Sequence, residues 1–246
     1  MSHKINSLSE YFKAYEKSVA NPEGFWEGVA NSFQWKKPWD KVLDWDFDKP
    51  DVKWFVNGKL NLTENIFERH LADKADTPAI IWEPNDPKEV NRIVSYRELF
   101  EMTNQFCNAL RAQGIEKGDR VIIYMPMVPE AAVAMLACAR LGAVHSVVFA
   151  GFSSTSLADR INDCEAKMVL TSDGNYRGAK QIPVKAVVDE AIENTPSIEK
   201  VIVLKRTGDQ VVMKAERDVW WHDAIANQSA EFAATEMDAE DLLFIL

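Results

Sequence analysis

Residues 118–149 read GDRVIIYMPMVPEAAVAMLACARLGAVHSVVF, and this stretch decides the fold. Gly118-Asp119 is a turn signal, the strand Arg120–Tyr124 follows it, and its run Val121-Ile122-Ile123 is continuously apolar rather than alternating. A strand covered on both faces has that character. Pro129 suits the first turn of a helix, where its missing N–H leaves nothing unpaired. Glu130–Leu141 continues the helix, and Gly142 is a left-handed stop. Val144–Phe149 is then a second apolar strand. Strand, helix and strand joined this closely make a crossover unit, and crossover units build parallel sheets.

The same grammar repeats on either side. Upstream, Ala79–Trp82 reads as a short strand that pairs with Ile93-Val94 across the Pro84–Asn91 turn. Ser95 and Glu98 form a capping box opening a helix through Leu99, Phe106 and Leu110 to Gly114. Downstream, Ser153–Ser156 starts a helix that reaches Cys164. Met168–Thr171 is a strand, Val184–Glu193 a helix and Lys200–Leu204 another strand. The predicted fold class is α/β, a mostly parallel sheet with helices on both faces. Asp241–Leu246 reads as one more buried strand with no turn, cap or polar tail behind it. Two explanations fit it: a last strand inserted in the sheet, or a longer protein divided at this point.

Residues 1–75 read differently. Six of the eight tryptophans lie in the first third of the chain: Trp26, Trp35, Trp39, Trp45, Trp54 and Trp82. Turn-forming stretches such as Asn21-Pro22-Glu23-Gly24 and Lys37-Pro38 separate them. We read an extension of short helices and irregular segments wrapped over a larger core, with the indoles as packing. A carbohydrate or membrane-surface platform is the alternative. Leu60–Lys74 is predicted to be one amphipathic helix with Leu62, Ile66, Phe67 and Leu71 inward. The expected organisation is thus an extension over 1–75 and an incomplete α/β domain over 76–246.

The chain has 246 residues, of which 47% are hydrophobic, and a net charge of −10. That balance excludes a disordered chain, and no run approaches the roughly 18 apolar residues that cross a bilayer. The negative charge argues against a nucleic-acid binder, so any bound anion needs a local cationic site. Cys107, Cys138 and Cys164 are odd in number and widely spaced, which suits buried thiols in a reducing cytoplasm.

Catalytic signatures are missing. No GxGxxG, HExxH, GxSxG or metal-spaced Cys/His group occurs, and Gly174–Gln181 fails as a phosphate loop on spacing and on its missing hydroxyl. His145, inside an apolar strand start, reads as a hydrogen-bonded core histidine, and His222 as structural. No general acid, base, nucleophile or metal ligand is assigned. Two segments do have the character of a ligand surface. Phe149-Ala150-Gly151-Phe152 sits at the carboxyl end of a strand, where ligands lie in open α/β sheets. Phe149 offers a ring face, and the small residues admit a ligand to the backbone. Ser172–Lys180 follows the next strand as a loop, with Arg177 and Lys180 flanking Gly178-Ala179 around room for a phosphate. Taken singly, each segment is equally well a tight turn or a solvated loop. Placed together at the tips of neighbouring strands, they describe a shelf for an adenine and a nearby phosphate.

With Tyr124–Ala131, these residues resemble the acetyl-coenzyme A synthetase family of AMP-forming, adenylate-forming ligases. The likeness runs through Asn21-Pro22-Glu23, Phe25-Trp26, Lys53-Trp54-Phe55, Leu60-Asn61-Leu62, Ala137–Val147, Lys205-Arg206-Thr207-Gly208 and Arg217–Asp223. It implies the N-terminal part of an enzyme more than twice this length, ending just before the ATP phosphate loop. It implies that the whole protein joins acetate to coenzyme A (CoA) with ATP and Mg2+, and that residues 1–246 alone are inactive. By the same resemblance Phe149, Ala150 and Gly151 match the CoA adenine contacts, and Arg177, Gly178, Ala179 and Lys180 match its nucleotide and 3′-phosphate site. Ala150 stands where a glycine is common in the family. Two other functions remain open: a non-catalytic nucleotide-binding or interaction module, and a ligase for propionate or another short acyl chain.

Overall fold

The computed structural model describes residues 4–178 and 180–246. They form two compact units. One is the chain up to Arg69 with Glu236–Asp241, and the other is His70–Thr235 with Leu242–Leu246.

The smaller unit begins with α1 (Leu8–Ala20) and α2 (Pro22–Ala30). The Ser7 side chain caps α1 by accepting from the Glu10 N–H, and Asn21 caps α2 by accepting from the Gly24 N–H. Strands β1 (Lys41–Asp46) and β2 (Asp51–Val56) pair antiparallel, followed by β3 (Lys59–Leu60) and α3 (Leu62–Ile66). Trp35, Trp39 and Phe55 pack ring against ring, with centroids 4.9–5.3 Å apart. Packing accounts for those indoles, whereas Trp45 is 58% exposed.

The single helix expected over 60–74 is two helices. α3 stops at Phe67, which is wholly buried, and α4 (Glu68–Lys74) follows. Leu62 faces solvent and Asn65 takes the inward place. Its Oδ1 accepts from the Gln34 N–H at 2.7 Å, and its Nδ2 donates to the Gln34 carbonyl at 2.9 Å. A buried amide that satisfies a distant backbone pair outcompetes the apolar residue that periodicity favoured.

The larger unit opens with β4 (Pro78–Trp82) and β5 (Arg92–Ser95), antiparallel as read. α5 (Tyr96–Ala112) carries both hydrogen bonds of the Ser95/Glu98 capping box. Then come β6 (Arg120–Ile123), α6 (Pro129–Leu141), β7 (Val144–Val147), α7 (Ser154–Cys164) and β8 (Met168–Ser172). Next are the short β9 (Asn175–Arg177) and β10 (Lys180–Ile182), then α8 (Val184–Ile192), β11 (Lys200–Leu204), β12 (Asp218–Trp220) and α9 (Trp221–Ile225). β13 (Met237–Asp238) pairs with β3 in the smaller unit, and β14 (Phe244–Ile245) belongs to the larger. The main sheet has six strands in the order β12-β11-β8-β6-β7-β14, and every pair is parallel. Ile122, Val169, Val201 and Val203 pack with Leu157, Ile161, Val184 and Val188 of α7 and α8. Val121 and Ile123 alternate to the other face and are just as buried, so both faces are covered. Gly142, at φ +85°, ends α6 as its position predicts.

Two expectations need correcting. β14 is an edge strand with Phe244 44% exposed, not a buried one. His145 is buried beside the Phe244 ring, but its Nδ1 has no hydrogen-bond partner. Burial holds its pKa below the usual histidine range. Cys107 and Cys138 are sealed in the core, and burial pushes the Cys107 thiol up to about 12.

A charged cluster joins α8 to β12. Lys185, almost wholly buried, reaches Asp189 at 2.8 Å and Asp218 at 2.9 Å. Arg217 pairs with both carboxylates, and the Lys214 N–H donates to Asp218. Burial alone would raise the Asp218 pKa, but these donors outweigh it and hold the carboxyl below its ordinary range. Removing one member of a buried ion cluster costs about 3 kcal/mol. Asp218→Asn should therefore lower the thermal midpoint by roughly 10 °C near neutral pH. A depressed carboxyl stabilises above the unfolded pKa, and that stability is lost as pH falls through the folded one. The gap between variant and parent should accordingly close below about pH 4 in thermal unfolding across pH, and a constant gap would contradict the assignment.

Candidate functional site

In a parallel sheet all the carboxyl ends emerge at one edge, and both suspected segments leave from it. After β7 the chain buries Val148, exposes Phe149 at 66% and buries Ala150. The Gly151 and Phe152 amides both donate to the Phe149 carbonyl, at 2.7 and 3.0 Å, closing a tight turn. The Tyr124 hydroxyl holds that turn by donating to the Phe152 carbonyl at 2.7 Å. The Phe149 ring meets Phe152 edge-on, with centroids 5.8 Å apart, and lies against Gly151. A Cβ on Gly151 would stand 2.5 Å from the ring's Cε1, so only glycine permits this seating. The Arg160 guanidinium lies 4.8 Å above Phe152, a cation the sequence reading did not single out.

The second segment is a hairpin rather than an open loop. β9 and β10 pair antiparallel with Lys180 opposite Arg177, Gln181 opposite Tyr176 and Ile182 opposite Asn175. Gly178, at φ +59°, begins the turn, and Ala179 lies outside the described residues. Residues directly opposite share a face, so Arg177 and Lys180 stand side by side on one surface of the ribbon. Among the described residues neither makes an ion pair. Two like charges so placed repel, and an anion between them removes the penalty.

Tyr176 alternates to the opposite surface. There Arg206 lies 5.3 Å from the Tyr176 ring and 5.2 Å from Trp82, and pairs with Glu89 through both guanidinium nitrogens at 2.9 Å. Asn85, Lys88, Glu89, Tyr176, Gly178 and Arg206 line a cavity of about 740 Å3 on this side. Neither Arg177 nor Phe149 lines it.

The sequence leads one to expect the two segments on neighbouring strands. They are consecutive in the chain, but β6 lies between β7 and β8 in the sheet. Their roots are therefore two inter-strand spacings apart, about 10 Å. The adenine of a nucleotide and a phosphate on its ribose span a comparable length. The structure thus brings Arg177, Gly178 and Lys180 into one hairpin and Phe149, Ala150 and Gly151 into one turn, both at the same edge. It also shows what residue types alone did not reveal. Asp173, fully buried at the end of β8, fastens the hairpin's root.

The sequence profile of the AMP-binding enzyme family matches residues 67–246, and that of the acetyl-coenzyme A synthetase N-terminus matches residues 11–66. The acetyl-coenzyme A synthetase of Syntrophobacter fumaroxidans is 52% identical over 238 residues, covering 96% of this chain and 36% of that protein. Those of Photobacterium profundum and Novosphingobium aromaticivorans are 52% and 50% identical, over 96% and 97% of this chain and 37% of each relative. The chain therefore spans little more than a third of the relatives it matches. An acetoacetyl-CoA synthetase structure from Streptomyces lividans superimposes with a TM-score of 0.85 at 27% identity, over 94% of this chain and 35% of that one.

Gly151→Ala should turn the Phe149 ring out of its seat while shifting the thermal midpoint by less than about 3 °C. Aromatic NMR shifts of Phe149 and thermal unfolding read the two effects, and unaltered ring shifts would show that the seat does not depend on glycine.

Proposed function

Because this chain belongs to the AMP-binding enzyme family, we propose that it is the N-terminal part of an AMP-forming acetate–CoA ligase and that it supplies part of the CoA docking surface. The overall reaction has two steps. An acetate oxygen attacks the α-phosphorus of ATP and pyrophosphate leaves, giving acetyl-AMP. The CoA sulfur then attacks the acetyl carbon, AMP leaves, and the thiol proton is released to solvent.

ATP and Mg2+ fall to parts of the longer protein outside these residues. Among the described residues no group of three His, Cys, Asp or Glu side chains is placed to hold a metal ion. What this chain brings is positioning, which can supply several kcal/mol towards a bimolecular step. Arg177 and Lys180 take the phosphate at the nucleotide end of CoA, and Phe149 offers its exposed ring to the adenine. Buried Ala150 and side-chain-free Gly151 hold the turn that presents the Phe149 ring, and Gly178 adds no side chain between the cations. Acetate as the acyl group, and a cytoplasmic setting that keeps the thiols reduced, complete the proposal. No helix of the described residues is long and apolar enough to cross a membrane.

The observation that carries this reading is the register that sets Arg177 opposite Lys180, neither of them in an ion pair among the described residues. In the full-length protein, Arg177→Ala should raise the KM for CoA about tenfold, the worth of one charge-assisted contact. Acetate-dependent ATP–pyrophosphate exchange should stay within twofold of the parent. Loss of exchange with an unchanged KM for CoA would overturn the assignment.

A further inference from the structure

A hairpin with three residues on each side does not hold its own shape in water, so something else must aim Arg177 and Lys180. Three attachments do so. At the root, the Asp173 carboxylate accepts four backbone N–H groups. Oδ1 takes Gly174 at 2.8 Å, Arg206 at 2.7 Å and Thr207 at 3.0 Å, and Oδ2 takes Gly208 at 2.8 Å. Along β10, the Gln181 amide donates to Asp209. At the tip, Asn85 Nδ2 donates to the Gly178 carbonyl at 2.7 Å.

Asp173 is the unusual member. Its side chain is wholly buried, and among the described residues no cation pairs with it. Four amides neutralise it instead, three of them from the 206–208 turn after β11 and one from the first residue of the hairpin's root. One side chain therefore fixes the angle at which the hairpin leaves β8 and ties it to the neighbouring strand's turn. Gly174 fits beneath because it lacks a side chain: a Cβ there would stand 2.5 Å from Thr207 Oγ1 and 2.8 Å from Asp209 Oδ2.

We infer that Asp173 is a positioning residue for the nucleotide end of CoA, acting through the hairpin that carries Arg177 and Lys180. The inference rests on the proposed assignment of those two cations. Asp173→Asn tests it, because the amide keeps the volume but turns one acceptor into a donor facing backbone N–H groups. In the full-length protein the variant should raise the KM for CoA about tenfold, with kcat and ATP–pyrophosphate exchange within twofold. In an Arg177→Ala background the same change should add less than about twofold, because its effect passes through the hairpin.

The outcomes separate the two claims. If Arg177→Ala leaves the KM for CoA unchanged, the CoA assignment falls and this inference falls with it. If Arg177→Ala raises that KM while Asp173→Asn does not, or adds a full tenfold in both backgrounds, the positioning role alone is refuted. Should Asp173→Asn fail to fold, Gln181→Ala removes only an exposed attachment of the same hairpin and should raise the KM about threefold. No rise there would also overturn the inference.

Discussion

Burial of a six-stranded parallel sheet on both faces is the constraint from which the rest follows. Parallel strands need crossovers, crossovers put helices over both faces, and the strand interiors must then be continuously apolar, as Val121-Ile122-Ile123 and Val201-Ile202-Val203 are. Nothing polar can be displayed from such a sheet except at its ends. All six strands point the same way, so the turns after β7, β8 and β11 share one edge. The chemistry of the chain gathers where the core has no room for it.

Two buried carboxylates close to that sheet are compensated by different means. Asp218 is met by Lys185, Arg217 and a backbone amide, so its neutralisation depends on long cationic side chains. Asp173 is met by backbone alone. Main-chain dipoles at the root of a short hairpin cannot rotate away without undoing the turns that hold them. A carboxylate seated among them therefore fixes backbone geometry more firmly than an ion pair does. The first arrangement ties a helix to a strand, and the second aims a loop.

The crossover elements were legible because their signals are local. Pro129 and Gly142 bracket α6, Ser95 and Glu98 open α5, and apolar runs mark β6, β8 and β11. What escaped was set by partners far away in the chain. Asn65 turns inward because Gln34, 31 residues earlier, offers it a backbone pair. The β9–β10 ribbon depends on Asn85, Asp173 and Asp209, none of which local periodicity can connect. The insertion of β6 between β7 and β8 is a matter of sheet order, which strand content does not determine. The candidate residues were found from their chemistry, and their shared face came only from the Arg177–Lys180 register.

That register also has an electrostatic consequence. The chain carries ten more negative than positive charges, so at long range it repels a polyphosphorylated ligand. Side by side, the two cations make a local well inside that unfavourable field. Repulsion spread over the whole surface is screened within a Debye length of about 8 Å at physiological ionic strength, while direct contact in the well is screened far less. Added salt therefore quiets the background more than it would weaken a phosphate contact at the pair. Charge held close together in this way attracts an anion locally without making the surface as a whole attractive to one.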